Sequence, residues 1–201
     1  SSEFTDSCER FLLPEKEFCD LFGEEEVSCF EFRKSPKISV YLYSVCAGPY
    51  HKFETDKPDY RIPMNLYCRK SLIKYVEKIK DEWFHVTRCG IDYFSETFSC
   101  EFPFEKCDQI FCPDYRMGAM ENVGAITYRD ELVERDELFS PYKKEAIFCI
   151  ILHELSRMWF GNLVTMKWWD DLWLNESFAN FISYLCMDEA KGLEKYSASW
   201  H

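Results

Sequence analysis

The chain has 201 residues, of which 47% are hydrophobic and 18% aromatic, and this excludes a disordered or low-complexity protein. The length is sufficient for one large core or two modest domains. Acidic residues outnumber basic residues by 36 to 24, a formal net charge of −12, so the chain should repel phosphate backbones and no nucleic-acid partner is expected.

The first half of the chain contains two strand-like segments and one helical segment. Residues 38–46 are β-branched and aromatic in near alternation, which predicts a strand. Residues 51–59 are polar and predict a loop or linker that contains a candidate domain boundary. A second strand is predicted over 62–68, and a helix over 71–84, because the apolar residues there recur at helical spacing.

The second half of the chain alternates short strands with longer helices. The aromatic stretch 92–113 is broken by prolines and predicts an irregular connection that ends in a short strand at 109–112. Residues 125–128 predict another strand. A helix is predicted over 141–160, opened by Ser-Pro and ended by Gly-Asn, and a last helix over 171–190.

Cysteine usage indicates the redox environment. The eleven cysteines are an odd number without a close Cys-X-X-Cys pair, which argues against a zinc ribbon and a fully paired disulfide framework. Several lie in apolar runs, as Cys112 and Cys149 do, so most are expected to be buried free thiols, with a few disulfides left open. This favours a reducing intracellular compartment, cytoplasm or organelle. No stretch approaches the ~20 apolar residues of a membrane-spanning segment.

The run His-Glu-Leu-Ser-Arg from His153 to Arg157 carries the chemistry of the 141–160 helix. Helical positions four apart share one face and lie about 6 Å apart, so these two side chains face the same way and Glu154 lies beside them. With histidine at both positions, such a helix would hold zinc while the glutamate activates a water. Arginine stands at the second position, and it has no lone pair to offer a metal.

Three segments in this order resemble the aminopeptidase N family of zinc metallopeptidases: Gly-Ala-Met-Glu-Asn at 118–122, His-Glu-Leu-Ser-Arg-Met-Trp-Phe-Gly-Asn at 153–162 and Trp-Leu-Asn-Glu-Ser-Phe-Ala at 173–179. The resemblance implies an α+β fold. Residues 1–57 would be the end of an N-terminal β domain. Residues 58–201 would be an incomplete thermolysin-like (gluzincin) catalytic domain, a small mixed sheet plus zinc-motif helices, without the family's C-terminal helical domain and its transition-state tyrosine.

The resemblance also implies roles for single residues. His153 and Glu176 would be zinc ligands, and Glu154 would be the general base. Glu121 would bind the free amino group of a peptide N-terminus. The other residues of its segment would line the substrate site: Gly118, Ala119, Met120 and Asn122.

Arg157 divides the functional hypotheses. The preferred one is a pseudoenzyme without a cofactor, a structural or binding subunit of a larger protein assembly, in which the Arg157 guanidinium bridges Glu176 and Glu154. The alternative is an active zinc aminopeptidase that removes N-terminal residues from peptides. It requires the zinc site to survive with a substitute ligand; Cys149, one turn before His153, is one candidate, although packing explains it equally. A third hypothesis makes the chain one part of a longer polypeptide.

Overall fold

The computed structural model describes residues 8–11, 29–32, 34–55, 57–135 and 140–196. The chain divides into two compact units, Ser1–Lys37 and Ile38–His201. In the first unit, β1 (Cys8–Phe11) pairs antiparallel with β2 (Cys29–Phe32). These two units do not test the family's domain boundary, which is expected after residue 57 and stays a prediction.

The second unit contains a mixed sheet, which in the described residues has five strands in the order β3-β4-β5-β7-β6. The central strands β4, β5 and β7 run parallel, while β3 and β6 pair antiparallel at the two edges. The strands are β3 (Tyr50–Glu54), β4 (Asn65–Arg69), β5 (Asp108–Cys112), β6 (Ala119–Met120) and β7 (Ala125–Arg129). The strands predicted over 62–68, 109–112 and 125–128 correspond to β4, β5 and β7.

Helix α1 (Ile73–Thr97) is much longer than predicted. The sequence interpretation ended it at Phe84 and took 92–113 as irregular, but Ile91 and Phe94 continue its buried face and are fully buried. Gly90 lets α1 approach the next helix closely, because a Cβ there would lie 2.6 Å from Leu152 Cδ2. Residues 92–97 therefore continue the helix, because tertiary contact outweighs their weak helix propensity, while 98–107 is irregular and leads to β5 as predicted.

A buried hydrogen-bond network fastens α1 to the sheet. The Trp83 indole N–H donates to Gln109 Oε1 at 2.7 Å, and the Tyr128 hydroxyl donates to the same oxygen at 2.9 Å. Gln109 Nε2 donates to Thr87 Oγ1 at 2.9 Å. Because these buried polar groups satisfy one another, they fix the helix against β5 and β7 without the penalty of an unpaired group.

The two helices that bear the motifs follow. Helix α2 (Pro141–Ser156) begins after Ser140, as predicted, but ends four residues before the predicted end at 160. The predicted helix 171–190 is in fact a 3-10 helix (Trp169–Leu174) followed by α3 (Glu176–Glu189). Asp171 departs from helical dihedral angles, and the break places Glu176 at the first residue of α3.

Two predictions in the N-terminal half are wrong. Residues 38–46 form no strand; Val40–Leu42 is a 3-10 helix, and Leu42 is its one buried residue. Conversely, strand β3 occupies the first part of the stretch 51–59, for which the sequence predicts a loop. Strand propensity depends on a neighbouring strand, which the first segment lacks in the described structure. The second segment has one in β4, and it tolerates polar residues as an edge strand.

Four further 3-10 helices are described, Val40–Leu42 among them; the others are Lys70–Leu72, Asp130–Leu132 and Glu194–Tyr196. In the described part of the chain, no helix combines the length and the apolar character that crossing a membrane requires.

Candidate functional site

Arg157 is the first residue beyond α2, and its backbone keeps helical dihedral angles, φ −64° and ψ −19°. The side chain therefore stays on the face of α2 that carries His153, as the spacing predicts. It is 4% exposed, so its guanidinium is withdrawn from solvent. A charge buried to this extent must be paired.

The guanidinium joins two carboxylates from different elements. Arg157 Nη1 donates to Glu176 Oε1 at 2.7 Å, and Nη2 donates to Glu121 Oε1. Glu121 follows β6 and is 3% exposed, whereas the Glu176 side chain is 49% exposed. Burial alone would lower the pKa of Arg157, but Glu121 and Glu176 outweigh burial and raise it. The arginine is therefore a permanent cation that connects the sheet edge, α2 and α3.

The contact with Glu176 agrees with the expectation from the sequence, but the second carboxylate is Glu121, not Glu154. Glu154 interacts with Arg157 only through space. It is 8% exposed, and burial raises its pKa to about 7. Near neutral pH this carboxyl group is therefore protonated in part, in contrast to that of Glu176, whose pKa is lowered.

His153 lies beside the same arrangement. Its Nδ1 is 3.0 Å from Asn180 Oδ1, and its Nε2 is 3.6 Å from Glu176 Oε2. The pKa of His153 is raised because the nearby carboxylates outweigh its burial. In turn, His153 and Arg157 together lower the pKa of Glu176 to about 2. Glu176 is thus held ionised between a histidine and an arginine.

The segment 118–122 lies at the other side of the site. Ala119 and Met120 form the edge strand β6, and Gly118 O accepts a hydrogen bond from Arg129 N at 3.1 Å. Asn122 is buried and donates to Thr127 Oγ1 at 2.9 Å. The roles that the resemblance implies for this segment in peptide binding stay predictions.

Four residues that the sequence interpretation missed complete the surroundings of Arg157. Asn162 Nδ2 donates to Glu121 O at 2.7 Å, and Asn175 Nδ2 donates to the Tyr41 hydroxyl at 3.3 Å. Tyr41 also hydrogen-bonds with Arg157. Gly161 has φ +135°, and a Cβ there would lie 3.3 Å from Arg157 Nε. The Gly-Asn pair signalled only a helix end, and nothing in the sequence connects the distant tyrosine with this site.

The residues present do not fit a zinc ion. Of the ligands that the resemblance implies, His153 and Glu176 remain, and the third position holds a guanidinium without a lone pair. One oxygen of Glu176 is bound to that guanidinium. The proposed substitute ligand Cys149 is buried, and the described residues contain no group of three or more His, Cys, Asp or Glu side chains able to hold a metal. No chemical step is therefore derived from a metal.

A small mixed sheet, a helix that begins its last turn with His-Glu and a following helix that returns a glutamate are the parts of a peptidase-type α+β domain. The family model "Peptidase family M1 domain" matches residues 83–201. The chain belongs to peptidase family M1.

Three named aminopeptidases that are similar to this chain support this assignment. The chain is 44% identical to aminopeptidase N of Streptomyces lividans over 180 residues, which cover 88% of this chain and 20% of that protein. It is 39% identical to aminopeptidase M1 of Arabidopsis thaliana (78% and 17%) and 36% identical to leucyl aminopeptidase of Saccharolobus solfataricus (86% and 20%). The chain thus spans about a fifth of the length of these relatives.

Proposed function

We propose that this chain is a non-catalytic member of the M1 family, in which Arg157 takes the place of the zinc ion. The observation that carries the proposal is that one guanidinium binds both Glu121 and Glu176. By the resemblance, these carboxylates would serve the substrate ammonium and the metal. Arg157 therefore binds both carboxylates. A peptide N-terminus would have to displace this buried, permanently charged side chain to reach Glu121.

The arginine also explains how such a domain stays folded without a metal. Glu121 is almost fully buried, and an unpaired carboxylate there would be costly. The guanidinium fork offers two donors to two carboxylates at once, a geometry that lysine could not reproduce. The guanidinium thereby pairs the charges of the site without a metal ion, as a structural role requires.

The alternative, an active zinc aminopeptidase, is favoured by the identity to named aminopeptidases and by the presence of His153, Glu154 and Glu176. Metal analysis and hydrolysis of an aminoacyl-naphthylamide separate the two. We expect the parent protein to carry no zinc and to release no naphthylamine. We expect Arg157→His to bind close to stoichiometric zinc, because it restores two imidazoles four positions apart on one helix face.

The matched control adds His153→Asn to Arg157→His. This double variant also frees the carboxylates from the arginine, but it lacks one imidazole, so it should bind no more zinc than the parent. Zinc in the parent protein, or parent hydrolysis as fast as that of Arg157→His, would overturn the non-catalytic assignment.

We further propose that the chain works within a larger protein assembly. The tryptophans before the start of α3 are exposed: Trp168, Trp169 and Trp173 are 67%, 56% and 57% exposed, with Leu172 at 40%. An exposed apolar cluster of this kind indicates a surface that another protein covers. That protein surface belongs either to a longer polypeptide that contains this chain or to a second subunit.

Sedimentation velocity tests the assembly. The 201-residue chain should self-associate with rising concentration, and the double substitution Trp168→Ser and Trp173→Ser should reduce that association. Tyr142→Ser is the control, since Tyr142 is 72% exposed but lies at the start of α2. A parent chain that stays monomeric across the concentration range would contradict this proposal.

A further inference from the structure

Two cysteines line the same cleft at the end of β5. Cys112 is the last residue of that strand, and Cys46 lies in the irregular segment after the Val40–Leu42 3-10 helix. The cleft has a volume of about 380 Å³. Its lining includes Ser44–Ala47, Cys112, Pro113, Tyr115, Asn122 and Thr127. Both cysteines are free and partly exposed.

Four of the other described cysteines lie in a different environment. Cys68, Cys107, Cys149 and Cys186 are buried, and burial raises the pKa of Cys68 to about 11 and of Cys107 and Cys149 to about 12. A thiol that cannot ionise or meet solvent is inert. These four belong to the apolar core, as the sequence indicated for most of the cysteines.

The cleft cysteines differ because they interact with each other. Their thiols are hydrogen-bonded, and this bond lowers the pKa of Cys46 to about 7, against the opposing effect of burial. The same bond raises the pKa of Cys112. The Tyr50 hydroxyl donates to Cys112 Sγ at 4.0 Å. The pair therefore has one thiol ready to act as a nucleophile and a second thiol held beside it, the arrangement of a dithiol that can close to a disulfide.

We propose that Cys46 and Cys112 form a reversible dithiol–disulfide site that reacts with low-molecular-weight disulfides. The Cys46 thiolate attacks one sulfur of the disulfide, forming a mixed disulfide and expelling one small thiolate. Cys112 then loses its proton to that thiolate and attacks Cys46 Sγ, which forms the internal bond and expels the second thiolate, protonated by solvent. The two cysteines are oxidised, and the small disulfide is reduced to two thiols.

The internal bond would tie the segment after Leu42 to the sheet beside Asn122. That segment already contacts the site, because Val123 N donates to Leu42 O at 3.4 Å and Asn175 Nδ2 donates to the Tyr41 hydroxyl. Oxidation would therefore restrain the chain that lies against Glu121 and Arg157, and reduction would release it. The cleft would be a redox-sensitive element next to the arginine site, and it does not depend on whether that site is catalytic.

The test is incubation of the folded protein with oxidised glutathione, followed by non-reducing proteolysis and mass spectrometry. We expect one cross-linked peptide pair that joins Cys46 to Cys112, with the loss of two hydrogen atoms, and its disappearance on addition of excess reduced glutathione. Cys112→Ser should stop at the glutathione adduct of Cys46, because the second thiol that would close the internal disulfide is absent. Cys46→Ser should form neither product.

Cys100→Ser is the matched control, since Cys100 is also free and partly exposed, and its Sγ donates to the Glu101 carbonyl at 3.6 Å, away from the cleft. This variant should form the cross-link as the parent does. Two results would overturn the proposal: adducts spread evenly over the exposed cysteines of the parent, or a Cys112→Ser protein in which Cys46 remains unmodified.

Discussion

Arg157→Met should lower the free energy of unfolding by about 3–5 kcal/mol at pH 7, the usual cost of removing one partner from a buried ion pair. Methionine retains much of the volume, so packing changes little and the loss reports on charge. The variant leaves Glu121, which is 3% exposed, without its cation. Urea denaturation followed by circular dichroism measures the difference. Arg116→Met is the control; Arg116 is exposed, and its substitution should change stability by no more than about 0.5 kcal/mol.

A second substitution separates charge from shape. Glu121→Gln in the Arg157→Met background removes the carboxylate that the first change stranded, so it should recover most of the lost stability, since complete removal of a buried ion pair is often near neutral. Glu176→Gln should recover less, because its half-exposed side chain is solvated by water. A loss below about 1 kcal/mol for Arg157→Met would show that Glu121 is not held by the guanidinium.

The position of Arg157 was predictable because it depends on helix geometry alone. His153, Glu154 and Arg157 fall on one turn, and a helix fixes their mutual directions whatever surrounds it. The return of Glu176 was also predictable, because the family resemblance places it at the start of the next helix. The sheet strands that repeat β-branched and apolar residues were located within a few residues for the same reason, since their signal is local.

The second partner of the arginine was not predictable from local spacing. Glu154 is its neighbour in sequence, yet the second carboxylate that Arg157 binds is Glu121, which follows the edge strand of the sheet. That choice depends on how β6 packs against α2, and such packing has no local signal. The strand prediction for residues 38–46 was wrong for a related reason. Their composition suits a strand, but strand formation also needs a pairing partner.

Together these findings change what the altered zinc motif means. By the resemblance, a lost ligand alone would weaken the metal site and leave Glu121, the residue expected to bind the substrate, free. Arg157 instead binds both Glu176 and Glu121, and so connects three elements of the fold. Glu154, the general base by resemblance, is left buried without a direct bond to that arginine. Its burial makes a separate and measurable contribution to the pH dependence of the free energy of unfolding.

Glu154→Gln should stabilise the protein at high pH and leave it unchanged at low pH. Burial raises the pKa of Glu154 from 4.5 to about 7, so the folded state binds this proton more tightly than the unfolded state does. The stability that Glu154 contributes is therefore fully present below pH 4.5 and is lost as the pH rises through 7. Glutamine resembles the neutral acid and avoids this loss, which is about 3 kcal/mol when fully developed.

Urea denaturation at pH 5 and pH 8 measures this effect as the difference between variant and parent. Groups that titrate in this window without interacting with Glu154 are present in both proteins and cancel. Glu96→Gln is the control, because Glu96 is an exposed residue of α1 and its substitution should have the same small effect at both pH values. An equal gain for Glu154→Gln at pH 5 and pH 8 would mean that Glu154 is no more protonated in the folded state than in the unfolded chain. The buried carboxyl group would then be an ionised member of the arginine cluster, and the site would hold three carboxylates against one guanidinium.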